Sequence, residues 1–567
     1  MNTRMPIGVD DFKEARTSYY LVDKTKMIAQ LLDDHAKVTL FTRPRRFGKT
    51  LAMSMLEYFF SIEKKEETAH LFDGMAIDRA GARYMAERGR YPVIFMTLKG
   101  VQNDTMPLLF ESFQYVIQQE FEKHAYLLEK GVLTAQETLF YRKMLDQSGS
   151  MADYQVSLLE LGKYLSRFYG VPPIILLDEY DAPIQCAYDH GFYDKAISYF
   201  RTFYNNTLKS NPCLSFAVLT GVLRIARESI FSGLNNLKVC SVTTESYNDA
   251  FGFMPEEVEK MARDKGMSSQ MEEIRSWYDG YHFGSQEIYN PWSVVCFFDE
   301  GELGDYWIHT SGNAILQKLL PTAGAAEEKN LLSLMQGGSV SVVLQESLIY
   351  SDIENHPDAL YTLLLTTGYL TCVKKSRTFG GLLCDLAIPN REVGDAFRVE
   401  ILNHLRRRMT LSRLVLLMEH LLHGEGDAFS QLLSEYTKEL VSAYDGGNKE
   451  SFYHGFLLGM TALLVPDYTV ESNRESGYGR FDLAIFPKEA GKAGVLMEFK
   501  AAEKEEDLPA KAEEALRQIR EKAYDAAFTA RGVTKVWKYG IAFAGKRMAM
   551  KWERGNDDSF LQHGKNG

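Results

Sequence analysis

The stretch Arg43-Pro44-Arg45-Arg46-Phe47-Gly48-Lys49-Thr50 follows the apolar segment Val38-Thr39-Leu40-Phe41 and precedes a helical pattern that begins at Leu51. Glycine, lysine and threonine at a strand-to-helix turn supply backbone N–H groups, an ammonium for phosphate oxygens and a hydroxyl for Mg²⁺. The stretch departs from G-x-x-x-x-G-K-[ST] because Arg43 occupies the position of the first glycine. An ordinary basic turn explains these residues equally well when they are taken alone, so the surrounding sequence has to decide.

A second stretch supports the phosphate-loop interpretation. The apolar run Ile174-Ile175-Leu176-Leu177 ends in Asp178 and Glu179. A continuous apolar run is typical of a central parallel strand, and the carboxyl ends of such strands are where open α/β sheets bind ligands. We expect Asp178 to hold Mg²⁺ and Glu179 to polarise the water that attacks the γ-phosphate. A strand that merely ends in a polar turn is the alternative.

The next predicted strand, 215–221, ends in another polar residue that can reach the same site. Thr220 is a candidate for sensing the γ-phosphate. Arg224 and Arg227 follow it and are candidates for contacting phosphate in the same or a neighbouring subunit. Surface arginines beside a helix are an equally good explanation of these two residues.

The bulk composition restricts the class of protein. The 567 residues indicate about three to four domains, and 45% hydrophobic and 12% aromatic residues indicate a folded chain. A formal net charge of -12 argues against a surface that is basic all over, so a nucleic-acid contact would need a local groove. The six scattered cysteines suggest neither disulfides nor a zinc module. Without a targeting or membrane-spanning pattern, we expect a cytoplasmic protein that makes no membrane contact.

These motifs together resemble the bacterial AAA-ATPase-like family. The resemblance rests on 20–23, 42–50, 177–181 and the sequence Phe231-Ser232-Gly233-Leu234-Asn235-Asn236, and an arginine in place of the first glycine is usual in that family. The resemblance implies ATP and Mg²⁺ as cofactors. The residues that we assign to the nucleotide are Arg43, Arg46, Gly48, Lys49, Thr50, Asp178 and Thr220, with Thr50 and Asp178 also at the metal and Glu179 catalytic.

The middle of the chain, 241–440, gives weaker signals. Aromatic residues around Asp279-Gly280 predict a hairpin followed by a helix, and these rings are more typical of a small core than of base stacking. We expect a mostly helical, winged-helix-like lid. His309 has no ligand-spaced partner and is interpreted as structural. The run Arg406-Arg407-Arg408 could face a phosphate backbone, although such a run is usually solvated.

Two acids and a lysine lie on consecutive predicted strands near the C-terminus. Asp482 lies in the strand 480–485, and Glu498 and Lys500 lie in the strand 494–500. Side chains alternate along a strand, so Glu498 and Lys500 share one face. Two carboxylates can hold Mg²⁺, which lowers the pKa of bound water, while the lysine orients that water and stabilises developing charge. A surface strand is the alternative explanation of Glu-x-Lys alone.

The predicted order of helix, three strands, helix and strand resembles the core of PD-(D/E)XK nucleases. The resemblance implies a catalytic set of Asp482, Glu498 and Lys500, with Asp482 and Glu498 as metal ligands. Gln518 and Tyr524 resemble the extra polar pair of the RecB-like branch, although their spacing is longer than Q-x-x-x-Y. Further candidate helpers are Glu450, His454, Glu471 and Glu475.

The sequence therefore predicts an α/β protein with three parts. These are a P-loop parallel-sheet ATPase domain at 1–240, the helical region at 241–440 and a restriction-endonuclease-like α/β domain at 441–567. We expect nucleotide state to control a Mg²⁺-dependent phosphodiesterase that acts on nucleic acid, DNA rather than RNA, in a possible homo-oligomer. The alternative is a non-cleaving ATP-dependent switch whose C-terminal domain only binds nucleic acid or a partner protein.

Overall fold

The computed structural model describes residues 4–209, 211–224, 237–307, 330, 333–335, 337–344, 357–397, 411–441, 457, 460–464, 467–476, 479–502, 504–522, 526–544 and 547–554. The chain forms two compact units, Met1–Ser311 with Ser341–Val393, and Gly312–Val340 with Gly394–Gly567. Several residues singled out in the sequence lie outside the described residues: Arg227, 231–236, His309, Arg406–Arg408, Glu450, His454 and Tyr524.

The first unit begins with helices and strands in α/β alternation. Its first five strands are β1 (Val38–Thr42), β2 (Val93–Thr97), β3 (Ile174–Asp178), β4 (Ala217–Gly221) and β5 (Leu237–Cys240). The helices around them are α1 (Phe12–Ser18), α2 (Lys26–Asp34), α3 (Lys49–Phe60), α4 (Ala76–Arg79), α5 (Ala82–Met85), α6 (Met106–Lys123), α7 (Ala135–Leu145), α8 (Met151–Gln155), α9 (Ser157–Tyr169), α10 (Ala182–Asp189) and α11 (Tyr193–Tyr204).

The five strands form one parallel sheet in the order β2-β3-β4-β1-β5. Strands β1, β3 and β4 are buried along their whole length, as expected for strands covered on both faces. Because all five run the same way, the carboxyl ends of β1, β3 and β4 lie side by side. The sequence prediction of a parallel α/β sheet is confirmed, and its topology places the three predicted polar motifs at one edge.

The rest of the first unit combines four helices with short strands among the described residues. It contains α12 (Pro255–Lys265), α13 (Met271–Tyr278), the hairpin β6 (Tyr281–Phe283) and β7 (Gln286–Ile288), α14 (Pro291–Glu300), β8 (Val340–Leu344), α15 (Pro357–Thr367), β9 (Thr371–Thr378) and β10 (Gly381–Ala387). Strands β8, β10 and β9 form a three-stranded sheet. The mostly helical middle is confirmed, but the hairpin turns at 284–285 and not at Asp279-Gly280, which follows α13.

Gly280 is needed for a close approach. Its φ of 91° lies in the left-handed region, and a Cβ there would lie 1.9 Å from the carbonyl oxygen of Pro389. Any other residue would therefore clash with backbone as well as being strained. The glycine of the Asp-Gly pair is therefore required by its contact with Pro389 and not by a hairpin turn.

The second unit is built around a mixed five-stranded sheet. Its elements are α16 (Leu411–His423), α17 (Gly426–Val441), β11 (Tyr468–Ser476), β12 (Gly479–Pro487), β13 (Gly494–Ala501), α18 (Leu508–Glu521), α19 (Ala526–Thr529), β14 (Val536–Ala544) and β15 (Arg547–Arg554). The strand order is β11-β12-β13-β14-β15, and only β13 and β14 are parallel. The predicted α/β architecture is confirmed, with β15 as an additional edge strand.

Helices cover both faces of this sheet. Val495, Met497 and Phe499 of β13 belong to a core with α16 and α17, whereas Leu496 packs with Leu516 of α18. The alternation of side chains along β13 therefore divides its residues between two cores. Residues 411–440, which the sequence prediction placed in the middle region, pack here. No described helix has the length and hydropathy needed for a membrane span.

Candidate nucleotide and metal sites

The phosphate-loop residues lie between the end of β1 and the first turn of α3. Gly48 is the N-cap of α3 with a φ of 79°, and Arg46 also has a positive φ, 69°. Glycine adopts this left-handed conformation without strain, whereas arginine does not. The first N–H groups of a helix lack intrahelical acceptors, so the turn offers donors to an anion.

Lys49 lies back over this loop. Its buried ammonium donates hydrogen bonds to the carbonyl oxygens of Arg43 at 3.1 Å and Pro44 at 2.8 Å. Burial lowers the pKa of Lys49, and the nearby charges of Glu179 and Asp178 oppose that shift. The lysine is thus held between the loop and the acids at the end of β3.

Arg43 is placed differently from the sequence prediction that it contacts nucleotide. Its guanidinium is fully buried and donates to the carbonyl oxygens of Thr42, Cys240 and Tyr247, at 2.9, 2.8 and 3.0 Å. Its φ is not positive, so this position does not need the left-handed conformation that glycine provides. The side chain is committed to the interior beneath the loop, where it joins β1 to the chain after β5.

Three hydroxyl groups converge on the carboxylate of Asp178. Thr50 donates to Oδ2 at 2.8 Å and Thr97 to the same oxygen at 3.3 Å, while Thr220 donates to Oδ1. The residues come from α3, β2 and β4, so the parallel order of the sheet brings them together. The structure thus unites Thr50, Asp178 and Thr220, and a hydroxyl beside a carboxylate is a donor pair that suits Mg²⁺.

Glu179 lies directly after Asp178 with a φ of 52°, a left-handed conformation that is uncommon for glutamate. Burial raises its pKa, as does the charge of Asp178, while Lys49 opposes the shift. Strained, partly buried acids of this kind are common at functional sites.

Asp181 has another function: its buried carboxylate accepts the N–H groups of Val222 and Leu223 at 2.9 and 2.8 Å.

The two exposed arginines of the loop differ in their contacts. The guanidinium of Arg46 lies 4.4 Å from the ring centroid of Trp292, and Arg45 donates to the side-chain oxygen of Gln185 at 3.3 Å. Arg224 lies just beyond β4 and is half-buried. Arg46 and Arg45 therefore provide positive charge at the open side of the loop.

The second site lies where β12 and β13 diverge. The register pairs Leu483 to Ile485 with Met497 to Val495 and stops there. Beyond that point the carboxylate of Asp482 accepts the backbone N–H of Phe499 at 2.7 Å, which replaces a strand-to-strand bond. The register of β12 and β13 therefore ends next to Glu498, the residue before Phe499.

Glu498 is buried, and its two carboxylate oxygens differ. Oε1 accepts hydrogen bonds from Lys500 at 3.4 Å and from Gln518, whereas Oε2 has no hydrogen-bond partner within the described residues. Burial raises the pKa of Glu498 to about 8, with the charge of Asp482 adding to the shift and Lys500 opposing it. A buried carboxylate oxygen without a partner is costly, and a cation at that oxygen would remove the cost.

Gln518 reaches Glu498 because α18 packs unusually close to β14. Gly540 pairs with Glu498 in the sheet, and a Cβ at Gly540 would lie 2.5 Å from both Ala512 O and Leu516 N of the helix. Only glycine fits such an approach. The glycine thus determines how near Gln518 lies to the carboxylate.

Comparison with known proteins agrees with this arrangement. Residues 6–231 match the family described as predicted AAA-ATPase, and residues 448–553 match the PD-(D/E)XK nuclease superfamily. The chain joins an AAA-ATPase-like region to a PD-(D/E)XK nuclease-like region. An "Uncharacterized protein in vnfD 5'region" of Azotobacter chroococcum mcd 1 is 26% identical over 543 residues, covering 93% of this chain and 94% of that protein.

Few metal donors lie together among the described residues of the nuclease-like region. Asp482, Glu498 and Lys500 lie on neighbouring strands as predicted, but no cluster of three or more His, Cys, Asp or Glu occurs among the residues that the structure describes. The candidate helper Glu471 instead pairs with Arg531 at 2.6 Å. Two carboxylates with an unpartnered oxygen nevertheless fit a hydrated Mg²⁺, which usually needs only one or two protein carboxylates.

Two residues of these regions escaped the sequence analysis. Thr97 ends the apolar run of β2 just as Asp178 ends that of β3, so the same strand-end pattern could have identified it. Gly540 interrupts an apolar strand, which is a known sign of a close backbone approach. The aromatic contacts of Arg46 gave no local signal, because Trp292 lies far away in sequence.

Proposed function

We propose that this chain is an ATPase whose nucleotide state controls a Mg²⁺-dependent phosphodiesterase that acts on nucleic acid, DNA in preference to RNA. It acts in the bacterial cytoplasm. In the AAA-ATPase-like region, the N–H groups after Gly48 and the ammonium of Lys49 bind the phosphates. Thr50 and Asp178 hold Mg²⁺, Glu179 orients and deprotonates the attacking water, and Thr220 fixes Asp178 from the interior side.

In the nuclease-like region, Asp482 and Glu498 hold the metal. A Mg²⁺ ion held there would supply Lewis-acid polarisation of the phosphodiester and would lower the pKa of nearby water. Lys500 orients the water and neutralises charge that develops on the phosphate, while Gln518 fixes the carboxylate of Glu498 through Oε1. The observation that best supports this proposal is Oε2 of Glu498, which is buried and has no hydrogen-bond partner in the described part of the chain.

Two single variants test the two activities separately. Lys49→Ala removes the ammonium at the loop and should reduce ATP binding at least about a hundredfold. Asp482→Ala should abolish Mg²⁺-dependent cleavage of end-labelled DNA while ATP hydrolysis continues. ATP hydrolysis by Asp482→Ala and ATP-free cleavage by Lys49→Ala are the controls, because each substituted residue lies in the other region. Cleavage that persists in Asp482→Ala would refute the site assignment, and size-exclusion chromatography of the same samples reports self-assembly.

A non-cleaving switch is the second candidate. It is favoured by the small number of metal donors found together in the described part of the region, and by Asp482, which already uses one carboxylate oxygen for the N–H of Phe499. In that case the C-terminal region holds nucleic acid or a partner protein while the nucleotide state changes. Labelled DNA and RNA that shift in mobility with Mg²⁺ and ATP, without any product, would favour this function.

A further inference from the structure

The phosphate loop contacts aromatic residues that come much later in the sequence than the strands of the parallel sheet. The indole Nε1 of Trp307 donates a hydrogen bond to the carbonyl oxygen of Arg45 at 3.2 Å. Trp307 is completely buried. A backbone carbonyl in the middle of the loop is therefore fixed by a side chain 262 positions away in the sequence.

Trp307 is itself held firmly. Its backbone N–H donates to Oε1 of Glu392, and Oε2 of the same carboxylate accepts the hydroxyl of Ser293 at 2.8 Å. The ring packs against Tyr369 with a centroid distance of 5.1 Å. Because Glu392 is fully buried, the indole has little freedom to move away from the loop.

A second tryptophan contacts the next loop residue. Trp292 stacks on the guanidinium of Arg46 at 4.4 Å and donates from Nε1 to the carbonyl oxygen of Tyr306 at 3.2 Å. Arg46 has the left-handed backbone noted above. The stacking holds its side chain over the indole and so supports a conformation that arginine rarely adopts.

The residues on either side of these two arginines are also in contact. A Cβ on Gly368, whose φ is 93°, would lie 2.8 Å from the side chain of Pro44. The ring of Phe47 lies 5.1 Å from that of Tyr281 and 5.3 Å from that of Phe283. All four consecutive loop residues, 44–47, are thus in contact with the same set of residues. We call this set the aromatic clamp: Tyr281, Phe283, Trp292, Trp307 and Gly368.

We propose that Trp292 and Trp307 are positioning residues of the phosphate loop, and that the aromatic clamp transmits nucleotide occupancy from the loop to the segment 281–307. This inference rests on the proposed ATP binding at the same loop. Phosphate at the loop attracts the guanidinium of Arg46, which is also the group that stacks on Trp292. Trp307 keeps the carbonyl of Arg45 turned away from the anion, so loss of its N–H leaves the loop free to adopt other shapes.

The test uses tryptophan-to-phenylalanine variants of the full chain. Trp307→Phe keeps an aromatic ring but removes the donor, and it should raise the Kd for MgATP about three- to tenfold, the effect of one lost hydrogen bond. Trp277→Phe is the matched control, since the ring of Trp277 stacks on Arg391 and contacts that of Tyr278. Its Kd should equal that of the wild type. All affinities are measured well below the melting temperatures.

Intrinsic fluorescence provides a second readout that a purely structural role would not change. MgATP should alter tryptophan emission in the wild type and in Trp277→Phe, and most of that change should be lost in Trp292→Phe. Trp292 is only partly buried, so this variant also decides the question if Trp307→Phe fails to fold. In steady-state hydrolysis, Trp307→Phe should raise KM and leave kcat nearly unchanged.

The outcomes separate this inference from the function on which it rests. Equal Kd values and equal emission changes in all variants, with ATP still bound, would overturn the clamp and leave the ATPase proposal intact. A lowered melting temperature without a change in Kd would also overturn it. Failure of the wild type to bind ATP would overturn both.

Discussion

Asp178 and Glu498 are both buried carboxylates near the ends of strands, yet their surroundings differ. Three hydroxyl groups, from Thr50, Thr97 and Thr220, donate to the two oxygens of Asp178. Glu498 receives donors on one oxygen only, and its Oε2 has none among the described residues. The fold satisfies the first carboxylate with its own groups, whereas the second carries an energetic cost that a bound cation would remove.

The largest expected effect comes from neutral isosteres at the two acids. Asp178→Asn and Glu498→Gln should each reduce the activity of their own region at least about a hundredfold, because each would remove a proposed metal ligand. Their effects on stability should be opposite in sign. Without metal, Asp178→Asn should lower the free energy of unfolding by about 1–3 kcal/mol. The reason is that the amide N–H₂ is a donor and cannot accept hydrogen bonds from the surrounding hydroxyl groups. Glu498→Gln should raise the melting temperature above about pH 8, where metal-free Glu498 is charged, since it removes a poorly paired buried charge.

Thermal unfolding in the presence of a chelator measures both effects, with ATP hydrolysis and DNA cleavage assayed in parallel. A lowered melting temperature for both variants would show that Glu498 is as well satisfied as Asp178. That result would remove the contrast between the two carboxylates and weaken the case for a cation at Glu498.

A steric change at Gly540 tests how the nuclease-like site is assembled. Gly540→Ala places a Cβ 2.5 Å from backbone atoms of α18, so the helix has to move and Gln518 moves with it. We expect a destabilisation of about 1–3 kcal/mol and a loss of DNA cleavage of about tenfold. ATP hydrolysis by the same protein is the internal control and should not change. Full cleavage activity would show that the Gln518 contact is dispensable.

Two threonine variants rank the hydroxyl groups around Asp178. Thr220 is buried, whereas Thr97 is exposed and its bond is longer, 3.3 Å. Thr220→Val should therefore reduce kcat for ATP hydrolysis about tenfold and Thr97→Val only about threefold. Steady-state hydrolysis at saturating MgATP gives both values. The reverse order would place Thr97, and not Thr220, nearer to the reacting phosphate.

The smallest effect concerns a buried histidine away from both sites. Burial alone would lower the pKa of His124, but hydrogen bonds and charges from Glu120 and Glu63 outweigh it and raise the pKa to about 9. The protonated ring therefore stabilises the fold below its unfolded pKa of about 6.5, and this contribution is lost as the pH rises through about 9. The difference in free energy of unfolding between wild type and His124→Gln should shrink over that range. A constant difference would contradict the raised pKa.

Much of the fold could be predicted because apolar runs and their polar ends are local signals. Such runs predict the strands that carry Asp178 and Thr220, and the alternation along the strand places Glu498 and Lys500 on one face. The placement of Arg43 could not be predicted in this way. Its guanidinium binds carbonyl groups of Cys240 and Tyr247, and those contacts exist only once β5 lies beside β1.

The same distinction explains what was missed at the candidate sites. The loop contacts of Trp292 and Trp307 depend on chain segments far apart in sequence, so no pattern of residues near Arg46 predicts them. The hairpin was expected at Asp279-Gly280 because that pair favours a turn, but the glycine there is required by its contact with Pro389. Local turn propensity therefore identified Gly280 as an unusual position, but a tertiary contact explains why glycine is needed there.

The central claim is that nucleotide at the first site controls metal-dependent chemistry at the second. The most direct measurement is the initial rate of Mg²⁺-dependent cleavage of end-labelled DNA, with and without ATP, for the wild type and for Lys49→Ala. We predict that ATP changes the wild-type rate at least about fivefold, and that Lys49→Ala cleaves at one rate under both conditions. Cleavage by the wild type that is identical with and without ATP, or no cleavage in either case, would contradict the claim.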